Sequence, residues 1–90
     1  MTTERVVDDN VLLEGLRRGA PEALESLFDR FHNRIFSLAM SILKNESDAE
    51  EAVQDVFLTV VRKANTFKGN SALYSWMYRI CVNACLMRLR

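Results

Sequence analysis

The residues best suited to chemistry lie in the loop of residues 67–71, with the sequence FKGNS, and on the segment that follows it. The loop combines an aromatic ring, a cation, a flexible glycine and two side chains that both donate and accept hydrogen bonds. Such a loop can hold an extruded nucleic-acid base, because its polar groups read the edge of the base while an apolar wall holds its face. Arg79 and Asn83 lie four residues apart and therefore share one face if their segment is helical.

Three aromatic residues, Tyr74, Trp76 and Tyr78, follow the loop. They belong to residues 61–90, which carry six basic side chains and no acidic one. Cations suit phosphates and flat rings suit bases, so the segment indicates an interface for single-stranded nucleic acid. Aromatic residues at helical spacing also commonly pack in a core, and this alternative stays open, above all for Trp76.

The rest of the chain has the opposite charge. Residues 1–60 contain twelve acidic and six basic side chains, so their net charge of −6 is offset by +6 in residues 61–90. Asp48, Glu50, Glu51 and Asp55 lie close together on one predicted helix. A metal site needs ligands that converge from several elements, so this acidic cluster indicates a solvated face or the docking site of a basic partner.

Other kinds of chemistry find little support in the sequence. His32 has no nucleophile placed beside it, and the three glycines are scattered, not clustered in a phosphate-binding loop. Cys81 and Cys85 are four residues apart, a spacing that rarely reaches disulfide geometry on a helix. We interpret them as small, half-buried apolar residues, with a redox or metal role as the alternative. We therefore expect no enzyme activity and no cofactor.

The chain of 90 residues is long enough for one domain. It contains no stretch of about 20 apolar residues and no secretion signal, so we expect a cytoplasmic protein without membrane contact. The expected fold class is all-α, a compact bundle of three to four helices with short connections. Apolar periodicity predicts helices at residues 9–18, 21–44, 48–64 and from 71 or 72 to 90.

Turn and cap residues place the helix boundaries. Pro21 suits the first position of the second helix, and Ser47 with Glu50 is a candidate capping box for the third. Apolar stripes predict which faces point inward. On the second helix the stripe is Leu24, Leu27, Phe28, Phe31, Ile35, Leu38 and Ile42. On the third it is Ala49, Ala52, Val53, Val56, Phe57, Val60 and Val61, and on the fourth Leu73, Trp76, Met77, Ile80 and Ala84.

The run DAEEAVQDVFLTVVRKANTFKGNSALYSWMYRICVNACLMRLR closely resembles region 2 of the bacterial sigma factors, in particular the extracytoplasmic-function (group 4) class. The preceding run LLEGLRRGAPEALESLFDRFHNRIFSLAMSIL resembles the start of the same domain. The resemblance therefore covers about residues 11–90. Its most telling pieces are DAEEAVQDVF, FKGNS and WMYRICVN, which together are highly specific.

The resemblance implies two roles for the domain. The acidic third helix would dock on the basic clamp-helix coiled coil of the RNA polymerase β′ subunit. The loop and the fourth helix would recognise the −10 promoter element and hold its non-template strand as single-stranded DNA. The implied polymerase-binding residues are Asp48, Glu51, Gln54, Asp55 and Arg62.

On the DNA side, the resemblance implies a pocket for a flipped base. Its members would be Phe67, Lys68, Gly69, Asn70, Ser71, Ile80 and Asn83. Arg79 and Lys63 would meet phosphates, and Tyr78 or Trp76 would stack near the melted junction.

By the same resemblance, residues 1–10 are an N-terminal tail and residues 11–90 form the region 2 domain. The family normally continues into a second domain that reads the −35 element, so we expect either a fragment or a minimal relative. An anti-sigma factor is a further expected partner. The alternative functions are a helical protein–protein interaction module without DNA contact and a nonspecific single-strand binder.

Overall fold

The computed structural model describes residues 8–69 and 72–90, and this part of the chain contains four α-helices, one short 3₁₀ turn and no β-strand. The elements are α1 (Asp9–Arg17), α2 (Pro21–Leu43), α3 (Glu46–Lys63), the 3₁₀ turn (Ala64–Thr66) and α4 (Leu73–Arg88). The predicted all-α bundle is thus confirmed. The first helix begins inside the predicted tail of residues 1–10, of which residues 1–7 lie outside the described part.

The central element is α2, which packs against each of the other three helices, while α3 and α4 also pack against each other. The core is formed by the apolar faces of all four helices. Its fully buried members include Leu27, Ile35, Val56, Val60, Leu73 and Met77. Among the described helices, none is long and apolar enough to cross a membrane.

Three residues predicted to point inward are largely exposed: Leu24, Phe28 and Val61, at 39%, 44% and 40%. They lie along a groove between α2 and α3, and this groove is lined by no residue of α1 or α4. The periodic stripe is therefore wider than the surface that the other helices can cover. Cys81 and Cys85 differ in the opposite sense, because both are fully buried and not half-buried.

The start of α3 also differs from the prediction. The cap is the side chain of Asn45, which accepts a hydrogen bond from the backbone N–H of Asp48 at 2.9 Å. The helix consequently begins at Glu46, so Ser47 lies inside its first turn and the capping box predicted from Ser47 and Glu50 is wrong. Both residue types are good caps, and the asparagine comes first after the left-handed Lys44 that ends α2.

Candidate nucleic-acid and protein interfaces

The predicted base-reading loop leaves α3 through the 3₁₀ turn and begins on a buried ring. Phe67 is only 7% exposed, and its ring stacks on Trp76 with the centroids 4.6 Å apart and the planes 19° from parallel. Trp76 is half-buried against the core. One part of Trp76 thus packs on the core and the remainder reaches solvent, and its stacking on a base stays a prediction.

Beyond Phe67 the chain turns outward. Lys68 and Gly69 are exposed, and Gly69 has a φ of +78°, a left-handed conformation that glycine adopts without strain. Asn70 and Ser71 lie outside the described residues, so their assignment to the base pocket stays a prediction. The described part of the loop thus presents the exposed cation Lys68 between the buried ring of Phe67 and the left-handed Gly69.

The exposed face of α4 carries polar side chains that were predicted from the sequence to bind DNA. Arg79 and Asn83 are exposed, Ile80 is half-buried beside them, and Tyr78 is 45% exposed. Lys63, at the end of α3, is exposed as well. Within the described residues neither Arg79 nor Lys63 forms an ion pair, so both cations are available to phosphates.

An aromatic cluster beside this face includes a cation that the sequence did not single out. The guanidinium of Arg34, on α2, lies 4.0 Å from the centroid of the Tyr74 ring. Tyr74 also stacks on Phe31 at 5.7 Å and meets the edge of Tyr78 at 6.1 Å. Tyr74 therefore links α4 to α2, whereas Tyr78 remains the more exposed ring of the pair.

Two further residues missed by the sequence reasoning hold the ends of the loop. Arg17, at the end of α1, donates from Nε to the carbonyl oxygen of Ala64 at 3.1 Å and from Nη2 to that of Phe67. Asp9, at the start of α1, accepts a hydrogen bond at Oδ2 from the backbone N–H of Leu73 at 3.2 Å. No local sequence pattern predicts these contacts, because the partners are 47 to 64 residues apart in the chain.

The predicted polymerase-binding residues form an exposed face of α3, as Asp48, Glu51, Gln54, Asp55 and Arg62 all reach solvent. Two of the carboxylates are already engaged. Arg88, near the end of α4, donates to Glu51 at 3.0 Å and to Asp55 at 2.9 Å. The hydrogen bond to Asp55 raises the pKa of Arg88 further above its usual range. This pair of contacts joins the acidic face of α3 to α4, the helix that carries the candidate DNA-binding residues Tyr78, Arg79 and Asn83.

An apolar groove adjoins the acidic face. It is lined by Leu24, Phe28, Gln54, Phe57, Leu58 and Val61. Leu58 is 58% exposed, and the rings of Phe28 and Phe57 lie 5.0 Å apart at its floor. Gln54 belongs both to this groove and to the predicted polymerase-binding set. An exposed apolar patch beside a charged rim is typical of a surface that binds another protein.

The two cysteines are unsuited to chemistry. Burial, reinforced by the neighbouring Cys85, raises the pKa of Cys81 to about 12, and burial also raises the pKa of Cys85. A buried thiol with a raised pKa forms little of the reactive thiolate at neutral pH. In the part of the chain that the structure describes, no group of three or more His, Cys, Asp or Glu side chains could hold a metal ion.

Comparison with known proteins identifies the family to which this chain belongs. The Sigma-70 region 2 family matches residues 27–90. The chain is 40% identical over 82 residues to the ECF RNA polymerase sigma factor SigM of Mycobacterium tuberculosis, covering 91% of this chain and 42% of the relative. It is 35% identical over 75 residues to the ECF RNA polymerase sigma-E factor of Escherichia coli, covering 83% and 39%. The chain thus spans about two fifths of the length of these relatives.

A solved structure agrees with the sequence comparison. An engineered region 2 of sigmaE, determined by NMR in complex with GTAAAA, superposes with a TM-score of 0.85 at 28% sequence identity. The alignment covers 98% of this chain and 90% of that one. The chain and this relative therefore share one fold. The chain belongs to the Sigma-70 region 2 family, as a region 2 domain of the extracytoplasmic-function class of sigma factors.

Proposed function

We propose that this chain is the promoter-recognition domain of an alternative sigma factor. It docks on core RNA polymerase and holds the melted −10 element of a promoter for transcription initiation. The observation that carries this proposal is the close match of its fold to the structure of an engineered region 2 of sigmaE in complex with GTAAAA. The proposed role is one of binding without catalysis, and the proposed place of action is the bacterial cytoplasm, where transcription takes place.

On the DNA side, an extruded base enters between the loop and α4. Phe67 and Ile80 supply the apolar wall, and Asn83 with the loop residues 68–71 supplies the hydrogen bonds that read the edge of the base. Arg79 and Lys63 neutralise phosphates, and Tyr78 or the open side of Trp76 stacks near the melted junction. Favourable contacts to the extruded base offset the few kcal/mol that unstacking costs.

On the polymerase side, Asp48, Glu51, Gln54, Asp55 and Arg62 meet the basic clamp helices of the β′ subunit. The apolar groove next to Gln54 supports this assignment, because exposed Leu58 and Val61 provide area that can be buried beside the charged contacts. Charge complementarity speeds the encounter and fixes its orientation. A −35-binding domain elsewhere in the whole protein and an anti-sigma factor that covers these surfaces complete the proposal.

Binding of labelled single strands tests the DNA role. We expect GTAAAA to bind at least tenfold more tightly than a permuted strand of the same composition, since each specific base contact is worth about 1–3 kcal/mol. Asn83→Ala should remove about 1–3 kcal/mol from the matched complex alone. Asn33→Ala, an exposed amide on α2, is the control. Equal affinity of the parent domain for both strands would favour a nonspecific single-strand binder.

Binding to the isolated β′ clamp helices tests the docking role. Asp55→Lys reverses a charge on the proposed face but also breaks a contact to Arg88, so Arg88→Met is measured beside it. Asp48→Lys reverses a carboxylate that lies outside that ion pair, and Glu25→Lys makes the same change in net charge on α2. We expect only the two α3 reversals to weaken docking. A folded parent domain that does not bind would favour a helical interaction module instead.

A further inference from the structure

The loop that reads the base is anchored at both of its ends by the same helix. Arg17, the last residue of α1, holds the carbonyl groups at the start of the loop, and Asp9, the first residue of α1, holds the N–H group at its end. We propose that Arg17 and Asp9 are positioning residues that fix the loop and thereby set its discrimination between bases. This inference rests on the proposed function, since it assigns α1 a part in that same site.

Arg17 stabilises the point where α3 gives way to the loop. The carbonyl oxygen of Ala64 accepts from the backbone N–H of Phe67 at 3.4 Å within the 3₁₀ turn, and its second lone pair is open to another donor. Carbonyl groups at the end of a helix also carry a partial negative charge. The guanidinium is a planar fork, so it can donate to the carbonyls of Ala64 and Phe67 at once. Only 32% of the Arg17 side chain is exposed, and solvent therefore screens these contacts less than it would on the open surface.

Asp9 performs the complementary task where α4 begins. The cap position of α4 is Ala72, which has no side-chain acceptor for the free N–H groups of the first turn. The carboxylate of Asp9 accepts from Leu73 instead, and its negative charge lies at the positive end of the α4 dipole. Its other oxygen lies 3.3 Å from the guanidinium of Arg30 on α2, which keeps the carboxylate in place.

The support for these anchors is itself rigid. Leu12, Leu13 and Leu16 of α1 are buried in the core. A Cβ atom added at Gly15 would lie only 2.7 Å from the Cβ of Ala23, so α1 and α2 approach too closely for any larger side chain. The two anchors are the ends of a nine-residue helix and are about 12 Å apart along its axis. Hence α1 acts as a spacer that sets the separation of Phe67 and Leu73.

A base pocket whose ends at Phe67 and Leu73 are held at fixed positions loses little conformational freedom when it binds a base. If an anchor is removed, Phe67 or Leu73 is held less firmly, and the matched base loses its advantage over a mismatched one. The proposed phosphate contacts of Arg79 and Lys63 lie on α4 and at the end of α3, outside the loop, and only that of Lys68 lies on the loop itself. Loss of an anchor should therefore lower base discrimination and reduce the slope of log affinity against log salt by no more than the value of one phosphate contact, whereas general unfolding would lower both strongly.

The test compares Arg17→Met and Asp9→Ala with matched controls in strand binding. Arg18→Met removes a neighbouring exposed guanidinium, and Asp9→Asn keeps an oxygen acceptor for Leu73. We expect the ratio of affinities for GTAAAA and its permuted strand to fall about tenfold in the first two variants, as for a lost charged hydrogen bond. The ratio should stay near that of the parent in both controls, and the slope of log affinity against log salt should change by no more than about 0.7, the value of one single-strand phosphate contact, in all folded variants.

Two measurements on the free protein separate this inference from the proposed function. Exchange of the Leu73 amide should be about tenfold faster in Asp9→Ala than in Asp9→Asn. The fluorescence of Trp76, which stacks on Phe67, should change in Arg17→Met and stay constant in Arg18→Met. Should Arg17→Met fail to fold, Arg17→Lys keeps the charge without the fork. Unchanged discrimination, exchange and fluorescence in folded variants would overturn the anchoring role, whereas a parent without strand preference would refute the proposed function alone.

Discussion

The two functional surfaces of this domain are built in different ways. The acidic face belongs to one helix, α3, and its residues follow one another at helical spacing on a rigid rod. The candidate base site is assembled from the end of α3, a loop and α4, and α1 holds that loop in place. A flat charged surface needs only one well-formed helix, whereas a pocket for a single base needs several elements held at fixed distances.

The surfaces also differ in their apolar parts. Beside the acidic face, Phe28, Leu58 and Val61 are open to solvent in the α2–α3 groove, as suits a partner that supplies its own apolar cover. At the base site, Phe67 is buried and its ring stacks on Trp76. The same residue type therefore presents an open ring in one region and a nearly covered ring in the other.

The largest expected effect separates these two phenylalanines. Phe67→Ala removes a buried ring and should cost about 3–5 kcal/mol of unfolding free energy, close to the whole stability of a small domain. Phe28→Ala removes a ring that is 44% exposed and should cost about 1 kcal/mol or less. Chemical denaturation measures both.

Phe67→Leu, with a smaller loss of about 1 kcal/mol, keeps the comparison testable when the alanine variant unfolds. It should lower strand discrimination and leave clamp-helix binding intact, and Phe28→Ala should do the reverse. If both variants weakened both activities equally, the division into two surfaces would be wrong.

A rise in pH should destabilise the whole fold and so abolish both surfaces together, because the two surfaces share one hydrophobic core. The pKa of Cys81 is raised by burial to about 12 in the folded domain, from an ordinary value of 9.0, and that of Cys85 is raised as well. The neutral thiols thus favour the folded state fully below pH 9, and this contribution is lost as the pH rises from 9 towards 12. We expect the unfolding free energy to fall over that window.

The double variant Cys81→Ala with Cys85→Ala provides the comparison. It lacks both thiols but keeps every lysine and tyrosine, so the difference between the two pH profiles isolates the cysteines. The parent should lose more stability than the variant above pH 9, and its thiols should react with a disulfide reagent at neutral pH only through unfolding. Parallel profiles or rapid native-state labelling would contradict the burial-based assignment.

The structure also shows which features of the fold and of the site could be predicted from the sequence. The four helices and the acidic face of α3 depend on residues within a few turns of each other, so periodicity and charge predicted them. The cap at Asn45 was missed because two good caps compete within three residues. Leu24 and Phe28 were misplaced because periodicity defines an apolar face without revealing where the neighbouring helices stop covering it.

The support of the base site could not be predicted in the same way. Phe67, Arg79 and Asn83 were predicted as base-site residues from their chemistry and from the family resemblance, and these roles stay predictions. Arg17 and Asp9 carry no such signal, since each is an ordinary charged residue at the end of a short helix and its partner is a backbone group far along the chain. Contacts of this kind depend on the packing of α1 against the bundle.

A smaller effect is expected where the two surfaces meet. Arg88 holds Glu51 and Asp55, and a basic partner must displace it before it can use those carboxylates. Arg88→Met should therefore strengthen clamp-helix binding by about threefold at low salt, in keeping with the modest value of surface ion pairs. Strand discrimination should not change. Weaker docking by Arg88→Met would mean that the ion pairs orient the acidic face for the partner.

The smallest expected effect concerns one phosphate contact. Lys68 is exposed at the turn of the loop, and we expect it to neutralise one phosphate of the bound strand in addition to lining the base pocket. Lys68→Gln should then reduce the slope of log affinity against log salt by about 0.7, the value for one contact to a single strand.

Discrimination between matched and permuted strands should change little in this variant, because the substitution keeps the backbone groups with which Lys68 lines the base pocket, and a phosphate contact carries no sequence information. Lys44→Gln is the matched control, since Lys44 precedes α3 and Lys68 follows it, and the 18 residues of α3 span about 27 Å along the helix axis. If Lys68→Gln lowered discrimination and kept the parent slope, Lys68 would read the base and not the backbone. The side chain of Lys68, and not only its backbone, would then line the base pocket.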